Sequence, residues 1–133
     1  MITLDTSAIY AYLNRFDVNH QAVSRTLHNE AGPLVVPVSI LSEIAYLLER
    51  HGQNPLRAFL GDIEREEYLL DCGAGDLQRI GELIRRYDDL PLGFADAAVI
   101  ACAERRGRRV LTYDRRHFSV VSREGSIILA GVD

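Results

Sequence analysis

The chain has 133 residues, of which 47% are hydrophobic and 26% are charged, as is ordinary for a globular protein. This composition excludes a low-complexity chain, and no apolar run approaches the roughly 20 residues that a membrane span needs. The net charge of −4 argues against a general nucleic-acid binder.

We expect a single domain over residues 1–133, long enough to form a core without disulfides or structural metals. No signal peptide is recognisable, and Met1 leads directly into a predicted strand. Cys72 and Cys102 are isolated, which favours neither a zinc site nor a disulfide framework, and Cys102 is expected in the core. A cytoplasmic location fits these features.

Short apolar strands alternate with helices along the chain. We predict strands at 2–5, 34–36, 68–70, 109–113 and 126–129, and helices at 7–14, 19–30, 40–50, 54–63, 76–87 and 94–106. Ser39, Asn54 and Asp76 are expected to cap helices, and Leu77 to face inward. The alternation predicts an α/β fold, a three-layer α/β/α sandwich with a mainly parallel central sheet.

The first predicted strand ends in an acid. Ile2 and Leu4 alternate with polar neighbours, Asp5 follows, and the pair Thr6-Ser7 can cap the next helix. The carboxyl ends of parallel strands form the ligand crevice of such sheets, so Asp5 is well placed for chemistry. Asp5 could equally serve only as a helix cap.

Three further acids fall in equivalent positions. Asp114 ends the strand at 109–113, and Glu43 and Asp96 lie near the starts of two helices. In a parallel sheet, strand ends and helix starts share one edge, so all four acids would open on one cleft. Clustered carboxylates repel one another unless a cation neutralises them. Oxygen ligands favour Mg²⁺ or Mn²⁺, ions that assist phosphoryl chemistry.

All 15 basic residues are arginines, and seven of them lie between Arg105 and Arg123. Asp114 is the only acid in that segment, whose net charge is therefore +6. The segment can be a solvated basic face, or an edge that contacts phosphates.

Four segments together resemble the ordered motifs of PIN-domain ribonucleases, and the size and helix content resemble VapC toxins of toxin–antitoxin pairs. The resemblance spans Ile2 to Phe118, and its most specific part runs from Thr112 through Asp114 to Phe118. The segments are Leu4-Asp5-Thr6-Ser7, Glu43, Leu92-Gly93-Phe94-Ala95-Asp96-Ala97-Ala98 and Val110-Leu111-Thr112-Tyr113-Asp114-Arg115-Arg116-His117-Phe118.

This resemblance implies a PIN-like fold and an Mg²⁺- or Mn²⁺-dependent endoribonuclease, the toxin of a VapBC pair. Asp5, Glu43, Asp96 and Asp114 match the acidic quartet of the family, and Thr112 matches its supporting hydroxyl. We expect Asp5, Asp96 and Asp114 to hold metal, with Glu43 as a further ligand or base. The residues expected to bind substrate are Thr6, Ser7, Arg115 and Arg116. The implied partners are an RNA substrate, a VapB-type antitoxin and a second copy in a homodimer, with no membrane.

Other functions compete with this interpretation. A catalytically inactive PIN fold could serve as an RNA-binding or dimerisation module, although none of the four acids is missing. A phosphatase or receiver-type domain would use an aspartate pocket but also a lysine, and the chain has none. The carboxylates and a metal already supply acid–base chemistry, so no histidine is required. Whether His117 faces the substrate stays open.

Overall fold

A computed structural model describes residues 1–131; the last two residues of the predicted 1–133 domain lie outside the described residues. Five strands form one sheet in the order β3-β2-β1-β4-β5, and each neighbouring pair is parallel. The strands are β1 (Ile2–Leu4), β2 (Leu34–Pro37), β3 (Leu69–Asp71), β4 (Arg109–Leu111) and β5 (Ile128–Leu129).

Helices separate the strands, as parallel pairing requires. Across residues 1–131, every helix is too short or too polar to span a bilayer. The helices are α1 (Thr6–Leu13), α2 (His20–His28), α3 (Leu41–Glu49), α4 (Asn54–Glu64), α5 (Leu77–Arg86), α6 (Phe94–Arg105) and α7 (Arg115–Arg123), with 3₁₀ turns at Val38–Ile40 and Ala74–Asp76. The predicted three-layer α/β/α fold with a parallel sheet is confirmed.

The core forms around the central strand β1 and helix α6. All three residues of β1 are buried, which requires cover on both faces of the sheet. Helix α6 is buried continuously from Ala97 to Ala103, and its small side chains let it pack closely against β1 and β4. Cys102 lies in this stretch, as the sequence predicts, and burial raises the pKa of its thiol to about 11.

Several local predictions were wrong. Ser39 caps nothing, because a 3₁₀ turn precedes α3 and its hydroxyl is exposed there. Leu77 is 66% exposed at the start of α5 rather than inward. Asn54 is the first residue of α4, whose cap position is Gln53 without a side-chain bond. Asp76 precedes α5, but its carboxylate binds Arg105 instead of capping the helix.

Helix α7 was not predicted. Its buried side chains, Phe118 and Val121, are only two among polar neighbours, so the apolar period is short. The helix matters for the site because it follows directly after Asp114.

Candidate active site

The carboxyl ends of β1 and β4 and the first turns of α3 and α6 enclose a cleft of about 490 Å³. The four acids predicted from the sequence, Asp5, Glu43, Asp96 and Asp114, all line it. A fifth acid, Asp17, joins them from the turn between α1 and α2. Sequence reasoning missed Asp17 because no strand end or helix start indicates where this turn folds back.

Asp5 is the most buried of these acids. It is 5% exposed and stands at the N-cap position of α1, where its Oδ1 accepts the Ala8 N–H at 3.0 Å. The Ser7 hydroxyl donates to Oδ1 at 2.7 Å, and the Thr112 hydroxyl donates to Oδ2. The cap is therefore Asp5 itself and not the Thr6-Ser7 pair.

Burial raises the pKa of Asp5 to about 6 from an ordinary value of 3.8. The hydrogen bonds from Thr112, Ser7 and Ala8 act in the opposite direction, and repulsion from Asp96 adds to the rise. The loss of solvation outweighs the hydrogen bonds, so the folded protein carries a carboxylate that is costly to ionise. A cation in the cleft would relieve that cost.

The hydroxyls of Ser7 and Thr112 join Asp5 to the segment that carries Asp114. Ser7 Oγ accepts the backbone N–H groups of Tyr113 at 2.9 Å and of Asp114 at 3.3 Å. Thr112 Oγ1 accepts the Asp114 N–H at 3.1 Å and is completely buried. Each hydroxyl thus donates to one acid and accepts from the backbone next to another, which fixes the end of β4 against α1.

Glu43 and Asp96 approach the cleft from helices. Glu43 lies in the first turn of α3, is exposed, and accepts a hydrogen bond from the Thr6 hydroxyl at 2.6 Å. Asp96 lies in the first turn of α6, where its Oδ2 is 3.1 Å from Nδ1 of His117. Both acids gain from the positive end of their helix dipoles.

The arginines are placed differently from the sequence prediction. Of the residues in 1–131 that line the cleft, none is an arginine. Arg116 is exposed at the start of α7, and Arg115 reaches towards the Ala130 carbonyl at 3.5 Å. Both lie next to the cleft acid Asp114 in the chain, so their expected phosphate role stays a prediction.

The segment from Arg105 to Arg123 does not form one basic edge. Arg105 pairs with Asp71 and Asp76, and Arg106 with Asp71. Two more arginines are also engaged: Arg109 pairs with Glu30, and Arg108 donates to the carbonyls of Gly125 and Ser126. Four of the seven arginines in this segment are therefore engaged within the fold, and a role in phosphate contact stays a prediction for Arg115 and Arg116.

The donor set suits a hard divalent cation, since carboxylates dominate the lining. The acids are not gathered into a preformed ion cage: within residues 1–131, no three His, Cys, Asp or Glu side chains group closely enough to hold an ion. Mg²⁺ commonly uses only one or two carboxylates, with water and substrate phosphate completing its shell. The cleft fits an ion held in that way.

Comparison with known proteins gives consistent results. The PIN domain family matches residues 2–124. Ribonuclease VapC26 of Mycobacterium tuberculosis (strain ATCC 25618 / H37Rv) is 36% identical over 121 residues, covering 89% of this chain and 90% of the relative.

Two solved structures share the fold. The sarcin-ricin loop cleaving toxin VapC20 of Mycobacterium tuberculosis superposes with a TM-score of 0.71 at 22% identity, covering 83% of this chain and 87% of the other. VapBC2 from Rickettsia felis, bound to a DNA fragment from their promoter, gives 0.69 at 17% identity, with 97% of each chain covered.

Proposed function

Because this chain belongs to the PIN-domain family, we propose that it is a metal-dependent endoribonuclease that acts as the toxin of a VapBC-type toxin–antitoxin pair. The observation that carries the proposal is the convergence of four acids from β1, α3, α6 and the end of β4 on one cleft. The raised pKa of buried Asp5 supports it further, because such a carboxylate is stabilised by a cation.

We assign roles from the geometry. Asp5, Asp96 and Asp114 would hold Mg²⁺ or Mn²⁺, and Glu43 would serve as a further ligand or as a base for the attacking water. The bound ion supplies a more acidic water and neutralises charge on the phosphodiester. The hydrogen bonds from Thr112 and Ser7 orient the Asp5 carboxylate and partly offset the cost of ionising it.

The substrate is a phosphodiester of RNA in this proposal. Thr6 and Ser7 line the cleft, where the scissile phosphate would sit. Arg115 and Arg116 would contact flanking phosphates, which position a strand without reading its sequence. Selection of one RNA would then come from the shape of a loop and its unstacked bases.

A second groove on the surface supports the proposal of an antitoxin partner. This groove of about 280 Å³ lies between α1 and the region of α3 and α4, is mostly apolar, and shares Tyr10 with the acidic cleft. Phe16 is 83% exposed at its edge. A VapB-type segment that puts apolar side chains in the groove and a cation into the cleft would block the site.

We also propose a cytoplasmic homodimer, for which exposed Tyr46 on α3 and Leu60 on α4 are candidate contacts. Sedimentation of the purified protein tests the dimer. Co-purification with the product of an adjacent small open reading frame tests the antitoxin.

The function is tested by incubating purified protein with total cellular RNA in Mg²⁺, with and without EDTA. Wild type should cleave at discrete sites, EDTA should stop the cleavage, and Asp96→Asn should lose most of the activity because it removes a metal ligand. Asp89→Asn is the matched control, because Asp89 is an exposed acid of the loop after α5, away from the cleft lining. Failure of wild type to cleave any RNA would favour the inactive RNA-binding or dimerisation module.

A further inference from the structure

His117 is the one histidine in contact with a cleft acid among the described residues. It lies in the first turn of α7, and its Nδ1 is 3.1 Å from Oδ2 of Asp96. The side chains are 15% exposed for His117 and 30% exposed for Asp96. The contact is therefore partly buried, and a hydrogen bond there is stronger than one at the open surface.

The direction of this hydrogen bond follows from the chemistry of the pair. An ionised carboxylate only accepts hydrogen bonds, so Nδ1 of His117 carries a hydrogen and the Nδ1–H donates a hydrogen bond to Asp96. The other ring nitrogen, Nε2, is buried and has no hydrogen-bond partner among residues 1–131. The ring is also absent from the residues of that range that line the cleft. His117 thus supports Asp96 from behind and does not face the substrate.

We propose that His117 is a positioning residue that fixes the Asp96 carboxylate for metal binding. Within residues 1–131, no other side chain hydrogen-bonds to Asp96. His117 lies three positions after Asp114, so the bond also ties the first turn of α6 to the turn that carries Asp114. The two acids are thereby held at a fixed separation across the cleft.

The inference rests on the proposed function for its metal, but the placement of Asp96 can be tested without one. Groups that orient metal ligands typically contribute about 10- to 100-fold in metal affinity when they are removed. The loss of His117 should lower metal affinity and kcat, and at saturating metal it should leave KM for RNA little changed, because His117 is not among the residues expected to contact RNA.

The test compares three variants. His117→Leu removes the donor, His117→Asn keeps an N–H close to the position of Nδ1, and His117→Gln moves the N–H towards the position of Nε2. We measure Mn²⁺ affinity by electron paramagnetic resonance, melting temperature without metal, and the Asp96 side-chain conformation in metal-free crystals. The two polar variants, His117→Asn and His117→Gln, still decide the test if His117→Leu does not fold.

We expect His117→Leu and His117→Gln to weaken Mn²⁺ binding by about 10- to 100-fold, and His117→Asn to keep most of the wild-type affinity. In crystals of His117→Leu, the Asp96 carboxylate should turn away from its wild-type position. An equal loss of Mn²⁺ affinity in His117→Asn and His117→Gln would overturn the positioning role. An Asp96 carboxylate that keeps its wild-type position in crystals of His117→Leu would overturn it as well. Wild type that binds no Mn²⁺ would instead contradict the proposed function, and the metal-free crystals would still decide the role of His117.

Discussion

At the scale of single residues, the site depends on an acid that destabilises the fold. The pKa of Asp5 is raised from 3.8 to about 6 in the folded protein, which therefore favours the protonated form of this side chain. The stability that protonated Asp5 contributes is fully present below pH 3.8 and is lost as the pH rises through about 6. At about 1.36 kcal/mol per pKa unit, the loss is on the order of 3 kcal/mol. The metal-free protein should therefore become less stable between pH 4 and pH 7.

Asp5→Asn should remove this dependence of the stability on pH. The amide oxygen can still accept the Ala8 N–H, so the cap survives while the buried charge is lost. We expect a net gain of about 1 to 2 kcal/mol in the free energy of unfolding at pH 7.5 in EDTA, and no gain at pH 4. Urea denaturation at both pH values measures it. A variant less stable than wild type at both would mean that the charged cap matters more than desolvation.

Thr112 offers a second test at this scale. Thr112→Val keeps the shape but deletes the hydroxyl that donates to Asp5 and accepts from the Asp114 N–H, whereas Thr112→Ser keeps it. Thr112→Val should cost about 1 to 3 kcal/mol of stability because the buried Asp5 carboxylate loses a hydrogen-bond donor. It should also raise the pKa of Asp5 and lower cleavage at neutral pH. Similar stability and activity in Thr112→Val and Thr112→Ser would argue against a role for these hydrogen bonds.

The positions of the four acids were predictable because each follows an apolar strand or opens an apolar helix. Thr112 was also predicted to support a carboxylate, and it donates to Asp5, but the other hydrogen-bond partners of these acids were not predictable. Ser7 bonds to residues 106 and 107 positions away, and no local pattern carries that information. Asp17 was missed for the same reason, since a turn has no periodicity that shows which way it faces.

At the scale of elements, ion pairs join β3 and the turn before α5 to the end of α6. Asp71 is buried and accepts from Arg105 at 2.8 Å and from Arg106, and Asp76 receives two bonds from Arg105. The hydrogen bond from Arg105 lowers the pKa of Asp71. These contacts explain why two arginines of the basic segment serve the fold rather than RNA.

Asp71→Asn should destabilise the protein without touching the chemistry. Breaking a buried ion pair costs about 3–5 kcal/mol, but both arginines are partly exposed, so we expect about 2 kcal/mol. Cleavage per folded molecule should be unchanged. Thermal unfolding beside Asp88→Asn, an exposed acid, provides the comparison. A large loss of activity at wild-type stability would place this cluster in the site instead.

Most elements were predicted to within a few residues because their apolar periods are long. Helix α7 was not predicted because its buried face consists of Phe118 and Val121 alone. Its polar remainder resembles a loop in composition, and only tertiary packing against the sheet distinguishes it.

At the scale of the whole molecule, the proposed function requires a chain of net charge −4 with an acidic cleft to bind RNA, which is a polyanion. The cleft repels phosphate until a cation is present, so RNA binding should itself depend on Mg²⁺. The exposed arginine nearest the cleft in sequence, Arg116, should supply part of the remaining attraction.

Arg116→Ala should weaken RNA binding and reduce the slope of log affinity against log salt by about 0.7, the value for one lost contact to a single strand. Arg123→Ala is the control, because Arg123 lies on the same helix about 10 Å further along its axis. Fluorescence anisotropy with a labelled RNA at several salt concentrations measures both. Equal effects of the two substitutions would indicate a diffuse field instead of a local contact.

The proposed function requires a divalent ion in the cleft, held by Asp5, Asp96 and Asp114, with Glu43 as a further ligand or as a base. Anomalous diffraction from crystals soaked in Mn²⁺ tests it most directly. We predict a manganese peak in the cleft within coordinating distance of Asp5, Asp96 or Asp114, and its loss in Asp96→Asn crystals. No peak in the cleft at a Mn²⁺ concentration that supports RNA cleavage would contradict the account.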